Sequence, residues 1–332
     1  MFADQEPSFA AVIQAARRIR GHARVTPLLR SDALDERVGG RLLIKAEALQ
    51  RTGSFKFRGA FNRIRAMSET ERARGVVAWS SGNHAQGVAV AARLLGTSAL
   101  IVMPEDAPVS KVAGTRSAGA EIVFYDRYTE DREAIGTRIA EERGAALVKP
   151  HDDAYVIAGQ GTAGLEAAAQ AAQRGLRPDA ALVPCGGGGL IAGCALALTH
   201  QLPGIALHPV TPAGFDNTAR SLGIGARQGN DPATRSICDA LLVPTHGALT
   251  FAVNRKLLQP GLVVSDDEAL SAMAAAFRHL RLVVEPSGAV ALAAALCGRF
   301  DCRGKTVLVI ISGGNVDPDM FRRALEIGDA AE

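Results

Sequence analysis

Short apolar runs alternate with helix-length segments along most of the chain. The apolar runs are rich in valine, isoleucine and leucine, which favour buried strands. They predict strands at 41–47, 75–80, 99–104, 121–126, 145–150, 180–186, 205–210 and 306–312. The segments between them predict helices at 83–95, 129–143, 159–174, 189–200, 266–279 and 317–327. This alternation is typical of an α/β protein whose parallel sheets are covered by helices.

The spacing of the predicted strands divides the chain into two doubly wound open-sheet domains. Residues 75–150 contain four strands at regular spacing, which is enough for a small domain of its own. Residues 1–74 and 151–332 would form a larger domain, into which the small one is inserted.

Composition excludes several classes of protein. The 332 residues are 48% apolar and 21% charged with a net charge of +3, so no strong field points to nucleic acid or to an anionic membrane. The apolar runs are too short to span a bilayer, and the acidic, polar start "MFADQEPSFA" argues against a targeting peptide. Five cysteines without a CxxC pair predict reduced thiols in a cytoplasmic protein.

Candidate chemistry lies in the turns that follow strands, because ligands of open α/β sheets bind beyond the carboxyl ends of the strands. Four turns are unusual: "TGSFKFRGA", "SSGNHAQG", "CGGGGLIAG" and "SGGNVD". In the third, four glycines (186–189) join a strand to an apolar helix. Converging backbone N–H groups and a helix start would make a phosphate cradle, whereas the alternative is a tight turn where helix packs on strand.

The kind of phosphate ligand can be narrowed further. Residues 187–192, "GGGLIA", fit the dinucleotide pattern G-x-G-x-x-A, but the next strand has Thr211 where an acid would bind the ribose. "RGKT" at 303–306 is not a Walker loop, since Arg299 stands where the first glycine is needed. A smaller phosphate ligand is therefore favoured.

Lys56 lies between two phenylalanines in "GSFKFRGA". Such a lysine either lays its stem along an apolar surface or holds its amine for chemistry. A primary amine together with a phosphate cradle suggests a Schiff base to pyridoxal phosphate.

The motifs then resemble those of a known family. "EALQRTGSFKFRGA" resembles the lysine motif of the serine/threonine dehydratases (threonine ammonia-lyases), which are fold type II pyridoxal-phosphate enzymes. "SSGNHAQG", "CGGGGL", "VEPSGA" and "SGGN" follow in that family's order, from about Ala48 to Asn315. Serine racemase is similar in the same motifs. The resemblance implies that 1–74 and 151–332 bind the cofactor and that 75–150 lies on the substrate side.

The resemblance also implies roles around the cofactor. Lys56 would hold its aldehyde, and Phe55 would pack against its ring. Asn83 would hydrogen-bond the ring hydroxyl, although it could instead cap a helix. Ser312 would face the pyridine nitrogen, although it could be an ordinary turn hydroxyl. The phosphate would be bound by Gly186, Gly187, Gly188, Gly189 and Leu190.

On the substrate side, the resemblance implies that "SSGNH" binds the substrate carboxylate with N–H and hydroxyl donors at a helix start. This stretch comprises Ser80, Ser81, Gly82, Asn83 and His84. We expect His84 to orient groups rather than to act as a base. Ser81 is either a second acid/base, which a racemase needs, or only a hydrogen-bond donor to the carboxylate.

Two further positions also bear on the site. Glu285 in "VEPSGA" would lie near the ring or the substrate amine, unless it simply caps a helix. "SICDALLV" has Ala240 where the family has a glycine.

The chain departs from some relatives at a possible cation site. The segment "VTPAGFDNTARS" places Thr211 and Asn217 where those relatives have acidic metal ligands, so no metal is expected, although Asp216 is available. Because no extension follows Glu332, a separate regulatory domain is not expected either.

The resemblance implies a lyase in which Lys56 removes the Cα proton. The β-hydroxyl of L-threonine or L-serine would then leave, giving a 2-oxo acid and ammonia, in a homodimer or larger homo-oligomer. Near alternatives are a serine racemase and a dehydratase of hydroxyaspartate, phenylserine or a hydroxyectoine-derived compound. More distant ones are a nicotinamide dehydrogenase and a binding protein without activity.

Overall fold

The computed structural model describes residues 5–80, 82–107 and 109–330. These residues form ten strands, which are numbered here in chain order. They are β1 (Leu28–Leu29), β2 (Arg41–Ala46), β3 (Val76–Trp79), β4 (Ala99–Pro104), β5 (Glu121–Tyr125), β6 (Ala146–Leu147), β7 (Ala180–Pro184), β8 (Ala206–Pro212), β9 (Leu262–Val264) and β10 (Thr306–Ile311).

The same residues form fourteen α-helices and two short 3-10 turns, Glu47–Leu49 and Asp239–Leu241. The helices are α1 (Phe9–Ile19), α2 (Asp32–Val38), α3 (Lys56–Arg65), α4 (Glu69–Ala73), α5 (Asn83–Leu94), α6 (Val109–Ser117), α7 (Arg132–Arg143), α8 (Ala154–Gln173), α9 (Gly189–Gln201), α10 (Asn217–Ile224), α11 (Ala248–Leu257), α12 (Asp266–Leu280), α13 (Pro286–Leu296) and α14 (Pro318–Ala330). None of these helices is long and apolar enough to cross a membrane.

The larger sheet has the strand order β1-β2-β10-β7-β8-β9. All neighbours are parallel except β1, which pairs antiparallel with β2 at the edge. Side chains of β10 alternate between the two faces: Val307, Val309 and Ile311 join the core under α12 and α13, whereas Leu308 and Ile310 join the core under α8 and α9. Helices cover both faces of the larger sheet, which explains why the strands of this sheet are apolar almost throughout.

The smaller sheet has the order β5-β4-β3-β6, with all strands parallel. Val76 and Ala78 of β3 face a core shared with α3 and α5, while Val77 and Trp79 face one shared with α7. The α/β architecture with two doubly wound sheets is confirmed. The domain boundaries at 74/75 and 150/151 remain a prediction.

Several elements differ from their predicted bounds. Helix α8 begins at Ala154, five residues before the predicted start, because Asp153 caps it by accepting hydrogen bonds from Tyr155 N and Val156 N. Strand β6 has only two residues, at the edge of its sheet. Strand β2 ends at Ala46, one residue before its predicted end and ten residues before Lys56. The 3-10 turn Glu47–Leu49 and a bridge from Ser54 to Gly313 lie in the interval.

A buried ion cluster fixes α3, the helix that begins at Lys56. Arg58 Nε donates to Glu47 Oε2 at 2.7 Å, and its Nη2 donates to Glu166 Oε2 at 2.8 Å. Lys45 Nζ donates to the same Glu166 oxygen at 2.8 Å. The side chains of Arg58, Glu47 and Lys45 are fully buried. The cluster connects α3 to β2 and α8. Its central residue, Arg58, lies two residues after Lys56.

Candidate functional site

One cavity is lined by residues that follow strands of both sheets, near the ends of β3, β7 and β10. Ser81 lies outside the described residues. Every other residue predicted for the site lines this cavity: Phe55, Lys56, Ser80, Gly82, Asn83, His84, Gly186, Gly187, Gly188, Gly189, Leu190, Glu285 and Ser312. Residues far apart in the chain therefore meet here, as expected at the carboxyl ends of parallel strands.

Lys56 is the first residue of α3 and points its amine into the cavity. Its Nζ donates to the backbone oxygen of Pro150 at 2.7 Å and lies 5.3 Å from the centre of the Phe55 ring. Burial, helped by the positive charge of Arg132, lowers the pKa of Lys56 to about 8. The amine is thus easier to deprotonate than an exposed lysine, which is what a nucleophile or a base requires.

The four glycines form the turn between β7 and α9. Gly188 has a φ of +91°, a conformation that glycine adopts without strain. A Cβ on Gly187 would overlap the ring of His151, and one on Gly188 would overlap the ring of His246. The glycines are therefore required by close packing on two sides, as well as by any ligand.

Asn83 and Glu285 form a buried pair across the cavity. Asn83 Nδ2 donates to Glu285 Oε1 at 2.6 Å, while Asn83 Oδ1 accepts from Asn315 Nδ2 at 2.8 Å. Neither Asn83 nor Glu285 caps a helix through its side chain. Burial raises the pKa of Glu285 to about 7, and its Oε2 has no partner among the described residues. This carboxyl group can therefore gain or lose a proton near neutral pH.

His84 and Ser312 are both buried in the wall of the cavity. His84 Nε2 lies 2.8 Å from the backbone oxygen of Val148, so this nitrogen carries the hydrogen. Burial, with the nearby Lys56 charge, lowers the pKa of His84 to about 3, so its ring is neutral at physiological pH. Ser312 follows β10, and its backbone oxygen accepts a hydrogen bond from Phe55 N.

Three charged residues in the wall were not among the sequence predictions. Lys111 of α6 forms an ion pair with Asp239. Lys111 lies between β4 and β5 of the small sheet and Asp239 between β8 and β9 of the large sheet, so the pair joins the two sides of the cavity. Arg132 begins α7 and also lines the cavity. Among the described residues, the Arg132 side chain makes no hydrogen bond and no ion pair. Lys111 and Arg132 lie in segments without a distinctive motif, so their positions in the sequence gave no signal. Asp239 precedes Ala240 in "SICDALLV", but the sequence did not indicate its pairing with Lys111.

His151 was also missed, although a signal existed. It follows β6 by four residues, at the carboxyl end of the small sheet where ligands are expected. Burial and the surrounding positive charges, first of all Lys56, lower its pKa well below the usual range, so its ring is neutral. It packs against Gly187 and Gly189.

The segment considered for a cation has other contacts. Asp216 Oδ1 accepts from Arg220 Nε at 3.1 Å, and Thr211 Oγ1 donates to a backbone oxygen. Within the described ranges, no cluster of three or more His, Cys, Asp or Glu side chains could hold a metal ion. Ala240, which replaces the expected glycine, lines the cavity and donates its N–H to Ser287 Oγ at 3.0 Å.

The chain is similar to known proteins over almost its whole length. A family model described as pyridoxal-phosphate dependent enzyme matches residues 19–313. A relative from Pseudomonas sp. named L-threo-3-hydroxyaspartate ammonia-lyase is 45% identical over 323 residues, which are 97% of this chain and 99% of that protein.

Solved structures agree with this similarity. The crystal structure of a threonine deaminase from T.th. superposes with a TM-score of 0.87 at 44% identity and covers 94% of this chain and 99% of its own. The structure of maize serine racemase has a TM-score of 0.90 at 37% identity, with 98% and 99% of the two chains covered.

Proposed function

Because this chain belongs to the family of pyridoxal-phosphate dependent enzymes and removes water from hydroxy amino acids with release of ammonia, we propose that its substrate is L-threo-3-hydroxyaspartate. The observation that carries the proposal is Arg132, a cation in the cavity wall with no anionic partner among the described residues. The name of the Pseudomonas relative supports the same substrate. L-Threonine and L-serine, the substrates expected from the sequence, are neutral at the side chain.

Arg132 is only partly exposed, and its charge reaches the reacting groups, since it lowers the pKa of both Lys56 and His151. A partly desolvated guanidinium is costly unless an anion pairs with it. A carboxylate can do so with two parallel hydrogen bonds, which a hydroxyl or methyl group cannot form. Arg132 therefore favours a substrate that carries a second carboxylate.

The α-carboxylate would bind elsewhere, at the start of α5. There the free N–H groups of the first turn and the positive end of the helix dipole favour an anion. Gly82 N donates a hydrogen bond to Ser80 Oγ at 3.1 Å, and this bond stabilises the turn before α5. Lys111 is less suited to the second carboxylate because Asp239 neutralises it. A dicarboxylic substrate would thus be held at both ends.

The residues present fit pyridoxal phosphate. The N–H groups of residues 186–190 donate to no acceptor within the described part of the chain, as a phosphate cradle requires, and the Lys56 amine and the Ser312 hydroxyl line the same cavity. We propose that Lys56 holds the aldehyde, the glycine loop and Leu190 hold the phosphate, and Ser312 faces the pyridine nitrogen. When bound, the cofactor acts as an electron sink that makes the substrate Cα–H acidic.

Lys56 is placed to move the proton. Its pKa of about 8 leaves part of the population neutral at physiological pH, so Nζ can accept a proton from Cα. Pro150 O accepts a hydrogen bond from this amine and so orients it. Loss of the Cα proton and the β-hydroxyl removes one water, and hydrolysis takes one water up. L-threo-3-Hydroxyaspartate would therefore give oxaloacetate and ammonia.

The substitution Arg132→Gln tests the substrate. We expect kcat/KM for L-threo-3-hydroxyaspartate to fall by about tenfold to a hundredfold, because a charge-assisted pair is lost. The value for L-threonine should stay within about threefold, since no carboxylate meets position 132 in that substrate. The lost charge also raises the pKa of Lys56, but this effect is shared by both substrates and is the smaller one, because burial is the main cause of the low pKa. Release of 2-oxo acid from both substrates measures this.

Arg138→Gln is the matched control, because Arg138 lies on the same helix but pairs with Glu142 on the surface. It should leave both substrates unaffected. Two results would contradict the proposal. One is an equal loss of kcat/KM for both substrates in Arg132→Gln, and the other is a higher kcat/KM of the unaltered enzyme for L-threonine than for L-threo-3-hydroxyaspartate.

Three further expectations are kept as predictions. Racemisation depends on Ser81, which lies outside the described residues. A cytoplasmic location and a homodimer or larger homo-oligomer are also predictions from the sequence and the resemblance.

A further inference from the structure

We propose that four buried side chains behind the glycine loop, Cys185, Thr218, His246 and Asn254, form a hydrogen-bond relay that turns the loop's N–H groups toward the cofactor phosphate. In this relay His246 acts as a positioning residue in a single tautomer. The proposal rests on the assignment of the loop to the phosphate. All four side chains are at most 2% exposed.

The tautomer of His246 follows from its neighbours. Asn254 Nδ2 lies 3.3 Å from Gly188 O and 2.8 Å from His246 Nε2. Because a carbonyl oxygen can only accept, the Asn254 atom must be the amide nitrogen, and Nε2 of His246 must accept from it. The hydrogen of the neutral ring is therefore on Nδ1, which donates to Thr218 Oγ1 at 3.0 Å. Burial, helped by the Arg227 charge, lowers the pKa of His246 to about 4 and keeps the ring neutral.

The relay continues to the other end of the loop. Thr218 Oγ1 accepts from His246, so its own hydrogen is free to donate to Cys185 Sγ at 3.5 Å. Cys185 Sγ in turn donates to Gly186 O at 3.7 Å, a normal length for sulfur. One continuous chain of donors thus runs from the oxygen of Gly188 to the oxygen of Gly186.

The carbonyl oxygen of Gly187, which lies between these two, also accepts a hydrogen bond from a buried side chain. Thr250 Oγ1 donates to Gly187 O at 2.7 Å. The carbonyl groups of Gly186, Gly187 and Gly188 are therefore all bound by buried side chains. In a planar trans peptide the C=O and the following N–H point in opposite directions. Fixing these three oxygens on the buried side consequently turns the N–H groups of residues 187–189 to the opposite side.

Packing makes the arrangement specific to glycine. A Cβ at Gly188 would overlap His246 Nε2, the atom that accepts from Asn254. The relay side of the loop therefore has no room for a side chain at position 188, and only glycine fits there. The imidazole fills that space and supplies the acceptor that holds Asn254 against Gly188 O.

The substitution Thr218→Val tests the relay, since it keeps the shape of the side chain and removes the hydroxyl. Thr218 does not line the cavity, so it does not touch the ligand. We expect the Kd of the apoprotein for pyridoxal 5'-phosphate to rise by about tenfold to a hundredfold, because His246 Nδ1 and Cys185 lose their partner. Thr218→Ser restores the hydroxyl and should stay within about threefold of the unaltered protein.

Pyridoxal, which lacks the phosphate, separates positioning from general stability. Its Kd should change by less than about threefold in Thr218→Val, because only the phosphate contacts the loop. Thr199→Val is the matched control, since Thr199 Oγ1 donates to Ala195 O within α9. If Thr218→Val does not fold, Cys185→Ala interrupts the relay at its other end and is read in the same way.

Two outcomes would overturn the relay: an unchanged Kd for pyridoxal 5'-phosphate in the variant that folds, or an equal loss for both ligands. Failure of the unaltered protein to bind pyridoxal 5'-phosphate would instead refute the cofactor site, and with it the proposed function. The two failures are therefore distinguishable.

Discussion

The positive charge of Arg132 acts electrostatically on the amine of Lys56 in the same cavity. Burial lowers the pKa of the Lys56 amine, and the Arg132 guanidinium lowers it further by making the protonated form less favourable. One arginine would therefore serve two purposes: it would bind the second carboxylate and help to keep Lys56 neutral. A substrate carboxylate that pairs with Arg132 would in turn raise the pKa of Lys56 and favour its uptake of the Cα proton.

The capture of pyridoxal 5'-phosphate by the apoprotein should depend on pH through Lys56. Only the neutral amine attacks an aldehyde, so the capture rate should rise with pH, with its midpoint near pH 8. Arg132→Gln should move this midpoint to higher pH, because a charge that lowers the pKa is removed. Stopped-flow absorbance measures the rate, and Lys56→Ala, which lacks the amine, is the control. A midpoint that does not move would contradict the coupling.

The glycine loop illustrates how one residue type can satisfy several constraints. A side chain on Gly187 would meet His151, and one on Gly188 would meet His246. An aspartate at either position would thus disturb packing as well as repel a phosphate. Substitutions in the relay are the cleaner test, since they change hydrogen bonding without filling the loop.

At the scale of elements, the position of α3 depends on Arg58. Burial acts to raise the pKa of Glu47, but the charges of Arg58 and Lys45 outweigh it and hold the pKa below its usual range. The carboxylate is therefore charged and fully buried, and it depends on its partners. Since Lys56 begins the same helix, this cluster also fixes the position of the amine that we propose as catalytic.

Arg58→Met should lower the free energy of unfolding by about 3–5 kcal/mol, because Glu47 is left buried without its main partner. Urea denaturation of the apoprotein measures the change. Arg143→Met is the control: Arg143 pairs with Glu121 near 50% exposure, and such surface pairs contribute about 0–1 kcal/mol. A loss in Arg58→Met as small as that of the control would show that the cluster does not stabilise α3.

At the scale of the whole molecule, the cavity brings together residues from the regions of both sheets. Asn83 follows β3 of the small sheet, whereas the glycine loop and Ser312 follow β7 and β10 of the large one. A ligand that touches all of them binds only when the two sheets are folded and adjacent. Cofactor binding is then linked to the stability of the entire chain.

Pyridoxal 5'-phosphate should therefore raise the melting temperature in a concentration-dependent way. At one hundred times Kd, mass action stabilises the folded state by about 2.7 kcal/mol. Lys56→Ala should need more cofactor for the same shift, because the covalent attachment is absent. Differential scanning fluorimetry at several concentrations measures this, and a single transition that does not respond to the cofactor would contradict the linkage.

The sequence by itself determined the features that depend on neighbours along the chain. The period of apolar residues predicted most strands and helices, because each pattern reflects burial on one or both faces. The motifs around Lys56, Asn83, the glycine loop, Glu285 and Ser312 predicted one site, and every described member lines one cavity. Helix ends were less predictable: α8 starts early because of the cap at Asp153.

Only the tertiary structure decided which distant residues meet. Asn83 and Glu285 are 202 positions apart, and Arg132 and His246 lie in segments without a motif, so local patterns carry no information about these contacts. Nor could sequence distinguish Lys111, which pairs with Asp239, from Arg132, which pairs with no anion in the part of the chain that the structure describes. The physical reason is that pairing, burial and the resulting pKa shifts depend on three-dimensional distance, which chain folding sets through long-range packing.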